Sequence, residues 1–327
     1  MEKFLSCDWG TSALRLRLVD TAGLNILAEK NSSKGVLGIF NAWNQETNGD
    51  QGLRVSFYLD ILKQHVQELE SSINHSLDEV PLVISGMASS TVGIMPLPYV
   101  ELPFSTTGAG ITTERFPSSK EFPHRVLLIS GVKSEDDVMR GEETQLIGLS
   151  GESQGHGLQT FIFPGTHSKH IVVNGHEVTG FKTFMTGEFF DLLSNKSILH
   201  SNVQKNDGPA RGNELQSFEK GVRDSAGSNL LQVCFRVRTN DLFQVLSKTD
   251  NYYYLSGLLI GTELRELLQN DSIMIYLCSG SGLKIYYEKA LHVLGLGRKV
   301  SVLTGQSVDE AVIKGQYKIY QQQVNND

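Results

Sequence analysis

Cysteine is scarce in this chain. Cys7, Cys234 and Cys278 lie far apart, form no CxxC pair and are flanked by apolar residues, which excludes a disulfide framework and fits three small buried hydrophobes. Positive charge is also short: 29 Lys and Arg against 36 Asp and Glu leave a formal charge of −7. A protein that coats nucleic acid needs a cationic surplus to neutralise phosphates, so that class is disfavoured. A small anionic ligand stays compatible, because a local basic pocket can sit in an acidic surface. No apolar run approaches the ~18 residues of a membrane span. Asp8 follows the start too closely for MEKFLSCDWG to hold the apolar region of a signal peptide. The expectation is a cytoplasmic, reduced protein with neither nucleic acid nor membrane as partner. Apolar residues make up 39% of the 327, enough for ordinary cores, and at about 150 residues per domain the length suggests two.

Strand-like alternation fills the first 31 residues, as Lys3–Asp8, Ala13–Asp20 and Leu24–Asn31 joined by tight turns. Leu14, Leu16 and Leu18 share one face, with Arg15, Arg17 and Val19 on the other. The three-to-four spacing of Val55, Tyr58, Leu59, Leu62, Val66 and Leu69 predicts a helix, and Leu82–Ile84 a short strand ending in Ser85-Gly86. The same grammar restarts near Leu158, with the turn Pro164-Gly165-Thr166-His167 and the hairpin signal Asn174-Gly175. Two strand, Gly-Thr turn, strand units imply duplicated domains, since their separation is far too long for a solenoid repeat. Helices over Gly187–Leu193, Leu255–Leu268, Leu283–Leu294 and Ser307–Tyr317 alternate with strands at Ile273–Leu277 and Val300–Leu303, as in a mostly parallel α/β sheet. The polar stretch 201–212 reads as a surface excursion.

Several groups carry chemistry. Asp8-Trp9-Gly10-Thr11-Ser12 sets a carboxylate at a strand end before a Gly turn and two hydroxyls, a kit for Mg²⁺ and phosphate; an ordinary hairpin would use the same residues. Gly165-Thr166-His167-Ser168-Lys169 repeats the kit with a cation. Finding both in matching places strengthens the phosphate reading, whereas Walker A and GxGxxG patterns are missing. His167 and His170 have a His-x-x-His spacing that on an extended segment sends the rings to opposite faces, which suits one metal poorly. Arg140-Gly141-Glu142-Glu143 precedes an apolar helical run. Its acids either favour the helix N-terminus or provide a general base, from Glu142 or Glu143. Gly280-Ser281 lies between a buried strand and a helix, where a flat ring can approach closely or a plain turn can form.

Together these residues resemble the actin-like ATPase and sugar kinase superfamily, and within it the 2-dehydro-3-deoxygalactonokinases. The signatures are Asp8-Trp9-Gly10, Met139–Gly148, Pro164–His167, Met185–Glu188 and Leu255–Gly261, spread over nearly the full chain. The resemblance implies an α/β protein of two duplicated ribonuclease H-like domains, 1–135 and 136–327, with ATP in the cleft between them. It implies a phosphotransferase with an alcohol acceptor, the 6-hydroxyl of 2-dehydro-3-deoxy-D-galactonate in galactonate catabolism. Asp8 would hold Mg²⁺, and Glu142 would be the base. Gly10, Thr11, Ser12, Gly165, Thr166, His167, Ser168 and Lys169 would bind phosphates, and Gly280 and Ser281 the adenosine. Arg15, Arg140 and Glu143 would face the sugar acid. Glu188 would cap a helix or touch the cleft. Many sugar kinases of the superfamily have Asp where this chain has Glu142. Sugar-acid kinases as a group set an expectation of a homodimer. The alternatives are a kinase of the same fold for another sugar or 2-keto-3-deoxy acid, and a non-catalytic actin-like nucleotide-binding module.

Overall fold

The computed structural model describes residues 2–152, 157–206, 208, 210–227, 229–269 and 274–324. By compactness they form two units: 1–154 with 176–180 and 306–327, and 155–175 with 181–305. These are packing units, whereas the expected division at 135/136 counts repeats.

In the first unit, strands β1 (Lys3–Trp9), β2 (Leu14–Asp20) and β3 (Ile26–Ser32) form an antiparallel meander. Two helices follow, α1 (Val36–Thr47) and α2 (Arg54–Ile73), and β4 (Leu82–Gly86) then returns parallel to β1. Beyond β5 (Val100–Glu101) and β6 (Phe104–Ser105), strand β7 (Thr113–Phe116) pairs antiparallel with β8 (Val126–Ile129), which runs parallel to β4. The sheet order is β3-β2-β1-β4-β8-β7. The small strands β9 (Val132–Lys133) and β10 (Val138–Met139) lead to helix α3 (Glu142–Leu149).

The core of this unit follows the alternation in sequence. Leu5, Cys7 and Trp9 of β1 and Leu14, Leu16 and Leu18 of β2 are buried under α2, which contributes Tyr58, Leu62, Val66 and Leu69. Each such side chain stabilises the fold by roughly 1.5–3 kcal/mol on burial. Helix α2 stops at Asn74, whose left-handed backbone (φ 51) serves the C-cap that glycine usually fills. Helix α1 escapes the sequence reading because only Val36, Ile39 and Trp43 are buried, a stripe too narrow to stand out among polar neighbours.

The second unit repeats the plan. Strands β11 (Leu158–Phe163), β12 (Ser168–Asn174) and β13 (Glu177–Phe184) precede helices α4 (Thr186–Asn195), α5 (Asn213–Asp224), α6 (Leu230–Cys234), α7 (Arg236–Leu242) and α8 (Lys248–Leu264). Strand β14 (Met274–Leu277), helix α9 (Ser281–Val293) and strand β15 (Val300–Val302) complete it. The expected first residue of β14, Ile273, lies outside the described residues. The strand order is β15-β14-β11-β12-β13; the first residues of β13, Glu177 and Val178, pair with β6 and group with it in the first unit. Both sheets therefore run third, second, first, fourth, fifth, with the fourth and fifth strands parallel to the first. The last helix, α10 (Gly305–Val324), is longer than its expected span and belongs from residue 306 to the first unit.

Candidate functional site

In the first unit, Asp8, next to last in β1, lies directly opposite Arg15 on β2 and Ser85 on β4. The Gly10–Ala13 turn closes with Gly10 N–H donating to Ala13 O (2.9 Å), and the N-terminus of α1 lies on it, since Val36 N–H donates to Gly10 O (3.0 Å). Thr11 and Ser12 are exposed at its tip, and Gly10 is half-buried. Burial raises the Asp8 pKa; Arg15 and Arg17 oppose the rise and Glu142 adds to it.

Glu142 comes close to Asp8 because of glycine geometry. Gly141 takes φ +112, a conformation side chains rarely adopt, and its ideal Cβ would lie 3.4 Å from Gly86 Cα at the end of β4. The two adjacent acids diverge there. Glu143 is fully buried, accepting from Gly141 N–H (2.7 and 2.9 Å) and from the Thr144 hydroxyl (3.0 Å). Burial and the neighbouring Glu142 push its pKa up to about 7. Glu142 is half-buried, and one of its oxygens accepts from the Arg140 N–H (3.2 Å). The Arg140 guanidinium lies over the Tyr99 ring, 4.3 Å from its centroid, and donates to Ser89 Oγ (2.5 Å), while its Nε is buried without a hydrogen-bond partner. Arg15 is half-buried beside Asn31 (3.3 Å). Behind Asp8, Gln316 of α10 donates to Cys7 O (2.8 Å) and Ser85 Oγ (2.9 Å), tying the ends of β1 and β4 together.

Asp8 and Glu142 are hard oxygen donors whose mutual repulsion a divalent cation would relieve, and Mg²⁺ takes only one or two protein carboxylates. The donor set fits that ion. Among the described residues, no group of three or more His, Cys, Asp or Glu is placed to hold a metal by itself.

In the second unit, Thr166 and His167 are exposed on the turn between β11 and β12, with Gly165 half-buried. The start of α4 lies against this turn: Glu188 N–H donates to Thr166 O (3.1 Å), and a Cβ on Gly187 would sit 2.6 Å from Gly165 O. That approach explains the Met185–Glu188 signature physically. Glu188 also bonds His167, whereas His170 turns inward to Glu263 (2.9 Å), so the two histidines serve different partners. Ser168 and Lys169 are buried in β12, and Ser168 Oγ faces Tyr287 rather than the turn's exposed side. Gly280 caps α9; the side chain of Ser281 lies outside the described residues.

A cavity of about 370 Å³ opens beside Gly165, walled by Phe190, Tyr252, Tyr253, Leu283 and Tyr286, with Lys205 at its edge. Such a slot suits a flat ring. The tyrosine runs 252–254 and 286–287 were the available signal for it, but on helices they also read as core.

Two sheets of one topology, each with a Gly-Thr turn after its first strand, define the actin-like ATPase fold. Within that class the chain belongs to the 2-keto-3-deoxy-galactonokinase family, a family of kinases whose model matches residues 8–319. It is 30% identical over 323 residues to a Rhizobium meliloti (strain 1021) protein named for 2-dehydro-3-deoxygalactonokinase activity, covering 95% of this chain and 94% of that one. It is 28% identical over 322 residues to the 2-dehydro-3-deoxygalactonokinase of Escherichia coli (strain K12), covering 95% and 96%. A Sinorhizobium meliloti crystal structure under the same enzyme name superposes with a TM-score of 0.77 at 28% identity, covering 97% of this chain and 96% of that one.

Proposed function

We propose that this protein is an ATP-dependent kinase that phosphorylates the 6-hydroxyl of 2-dehydro-3-deoxy-D-galactonate in galactonate catabolism. The observation that carries the reading is the near full-length similarity to two relatives named for that reaction. The two duplicated turns and the aromatic cavity are consistent with it. Three free cysteines, and no helix among the described residues long and apolar enough to cross a membrane, accord with a cytoplasmic setting.

In this reading the cavity of the second unit, lined by Gly282 two residues beyond Gly280, takes the adenine. The exposed turn at Gly165–His167 takes phosphate oxygens on its N–H and hydroxyl groups. In the first unit, Thr11 and Ser12 offer further donors. Asp8 would hold Mg²⁺, which would supply positive charge to the phosphates when bound. Glu142, less buried than Glu143, accepts the proton of the attacking hydroxyl. Arg140, immobilised on Tyr99 and with an unpartnered Nε, grips the substrate carboxylate; a pre-stacked guanidinium loses little freedom on doing so. Arg15 acts chiefly through its charge on Asp8. Ser168, Lys169 and Glu143 shape the protein behind these groups.

A substrate panel tests the proposal, with ADP release followed on 2-dehydro-3-deoxy acids, aldonates and hexoses. The galactonate-derived acid should turn over best, and Asp8→Asn should nearly abolish turnover in a folded protein. Faster turnover of the gluconate-derived epimer would reassign the substrate. ATP binding with no turnover on any acid would make the chain a nucleotide-binding module.

A further inference from the structure

Behind the turn at Gly165–His167, the second unit holds a continuous buried polar chain that the reaction itself does not use. Glu263, on α8 and 3% exposed, accepts on one oxygen from Tyr287 OH of α9 (2.8 Å) and from the Thr186 hydroxyl at the start of α4 (2.5 Å). Its other oxygen meets His170 Nε2 of β12 (2.9 Å). Tyr287 OH lies 2.9 Å from Ser168 Oγ, and Gly165 N–H donates to that same Oγ (3.3 Å). Four elements thus converge on one carboxylate.

The polarity of the chain follows from donor counting. The Tyr287 hydroxyl donates to the Glu263 oxygen, so its single proton is spent there. Burial and the Glu263 charge hold the Tyr287 pKa well above its ordinary value, so that proton stays. Ser168 then donates to the Tyr287 oxygen at 2.9 Å in preference to Gly165 O at 3.5 Å, leaving its own lone pairs to receive the Gly165 N–H. If Tyr287 gave its proton to Ser168 instead, its oxygen would face the carboxylate as acceptor against acceptor, at a cost of about 1–3 kcal/mol. Tyr287 also lines the cavity beside Gly165, so one side chain borders the ring slot and holds the turn.

We infer that Glu263 is a positioning residue which, through Tyr287 and Ser168, presets the second turn for the phosphates of a nucleotide while leaving the ring slot unaffected. This rests on the nucleotide reading given above. It predicts that the chain contributes to the phosphate part of the affinity alone.

The test is calorimetric titration of the whole protein with ADP and, separately, adenosine. Tyr287→Phe keeps the ring and removes the hydroxyl; Ser168→Ala cuts the chain one link further on. Both should weaken ADP about tenfold or more, the scale of one lost charge-assisted arrangement, while adenosine stays within about twofold. Glu263→Gln should behave like Tyr287→Phe, and Glu263→Asp should recover part of the loss. Equal weakening of ADP and adenosine, or no change in either, would reduce the chain to scaffolding and overturn the inference. Wild-type protein that binds ADP no more tightly than adenosine would instead remove the phosphate role of the turn, and the nucleotide reading with it. Thermal midpoints of the variants, taken alongside, show that the comparison is between folded proteins.

Discussion

Glu142 and Glu143 are neighbours with opposite fates. In sequence they are interchangeable acids before an apolar helix, and only the backbone at Gly141 separates them, burying one and leaving the other half-open. Glu143 holds its proton in the folded chain up to about pH 7, against an ordinary value of 4.5. The folded state therefore binds more protons between those values, so this contribution to stability is full below the unfolded pKa and is lost as pH rises through about 7. Thermal melts from pH 5 to 8 should fall less steeply for Glu143→Gln than for wild type; identical slopes would contradict the burial argument. Glu142→Gln removes a charge that helps raise the Glu143 pKa, so it should flatten that slope in part; on the proposed reading it should also lower kcat by about 10²–10⁴, the usual share of a general base. Asp8 and its turn were legible because strand alternation and a Gly turn are local signals. The Glu263–Tyr287 link was not, since nothing in two helices separated by a strand tells which side chains meet.

At the level of elements, the contact of α3 with α10 decides how the Met139–Gly148 block is held. A Cβ on Gly315 would sit 1.8 Å from Thr144 O, so the helices cross with backbone against backbone. Lys318 Nζ donates to Ile147 O (2.9 Å) and Ser150 Oγ (2.8 Å), satisfying the end of α3. Gly315→Ala must push the helices apart. It should lower stability by at least the ~1–3 kcal/mol typical of overpacking, and lower kcat as well, because α3 begins at Glu142. A thermal melt and a kcat measurement check both; unchanged values would mean the crossing is softer than its geometry. Long, strongly periodic helices such as α2 were readable in outline. Helices α1 and α5 to α7 were not, because their buried stripes are narrow or short.

For the whole molecule, the duplication was visible in the two Gly-Thr turns, and the matching strand orders give it a structural basis. Which unit the last helix would complete was not visible, since the period of Ser307–Tyr317 fits any apolar surface. In the fold, Ala311, Val312, Ile313, Gln316 and Ile319 of α10 are buried, and Gln316 ties β1 to β4 behind Asp8. Truncation before residue 306 should leave a chain that loses cooperative melting and Asp8-dependent turnover; a truncated protein with a wild-type melt would refute this. The same arrangement governs how the polypeptide matures on the ribosome. Residues 155–305 have all been made while the first unit still lacks its last helix. The half whose synthesis begins first is thus the last to close, in reverse of the usual N-terminal-first order of folding during synthesis.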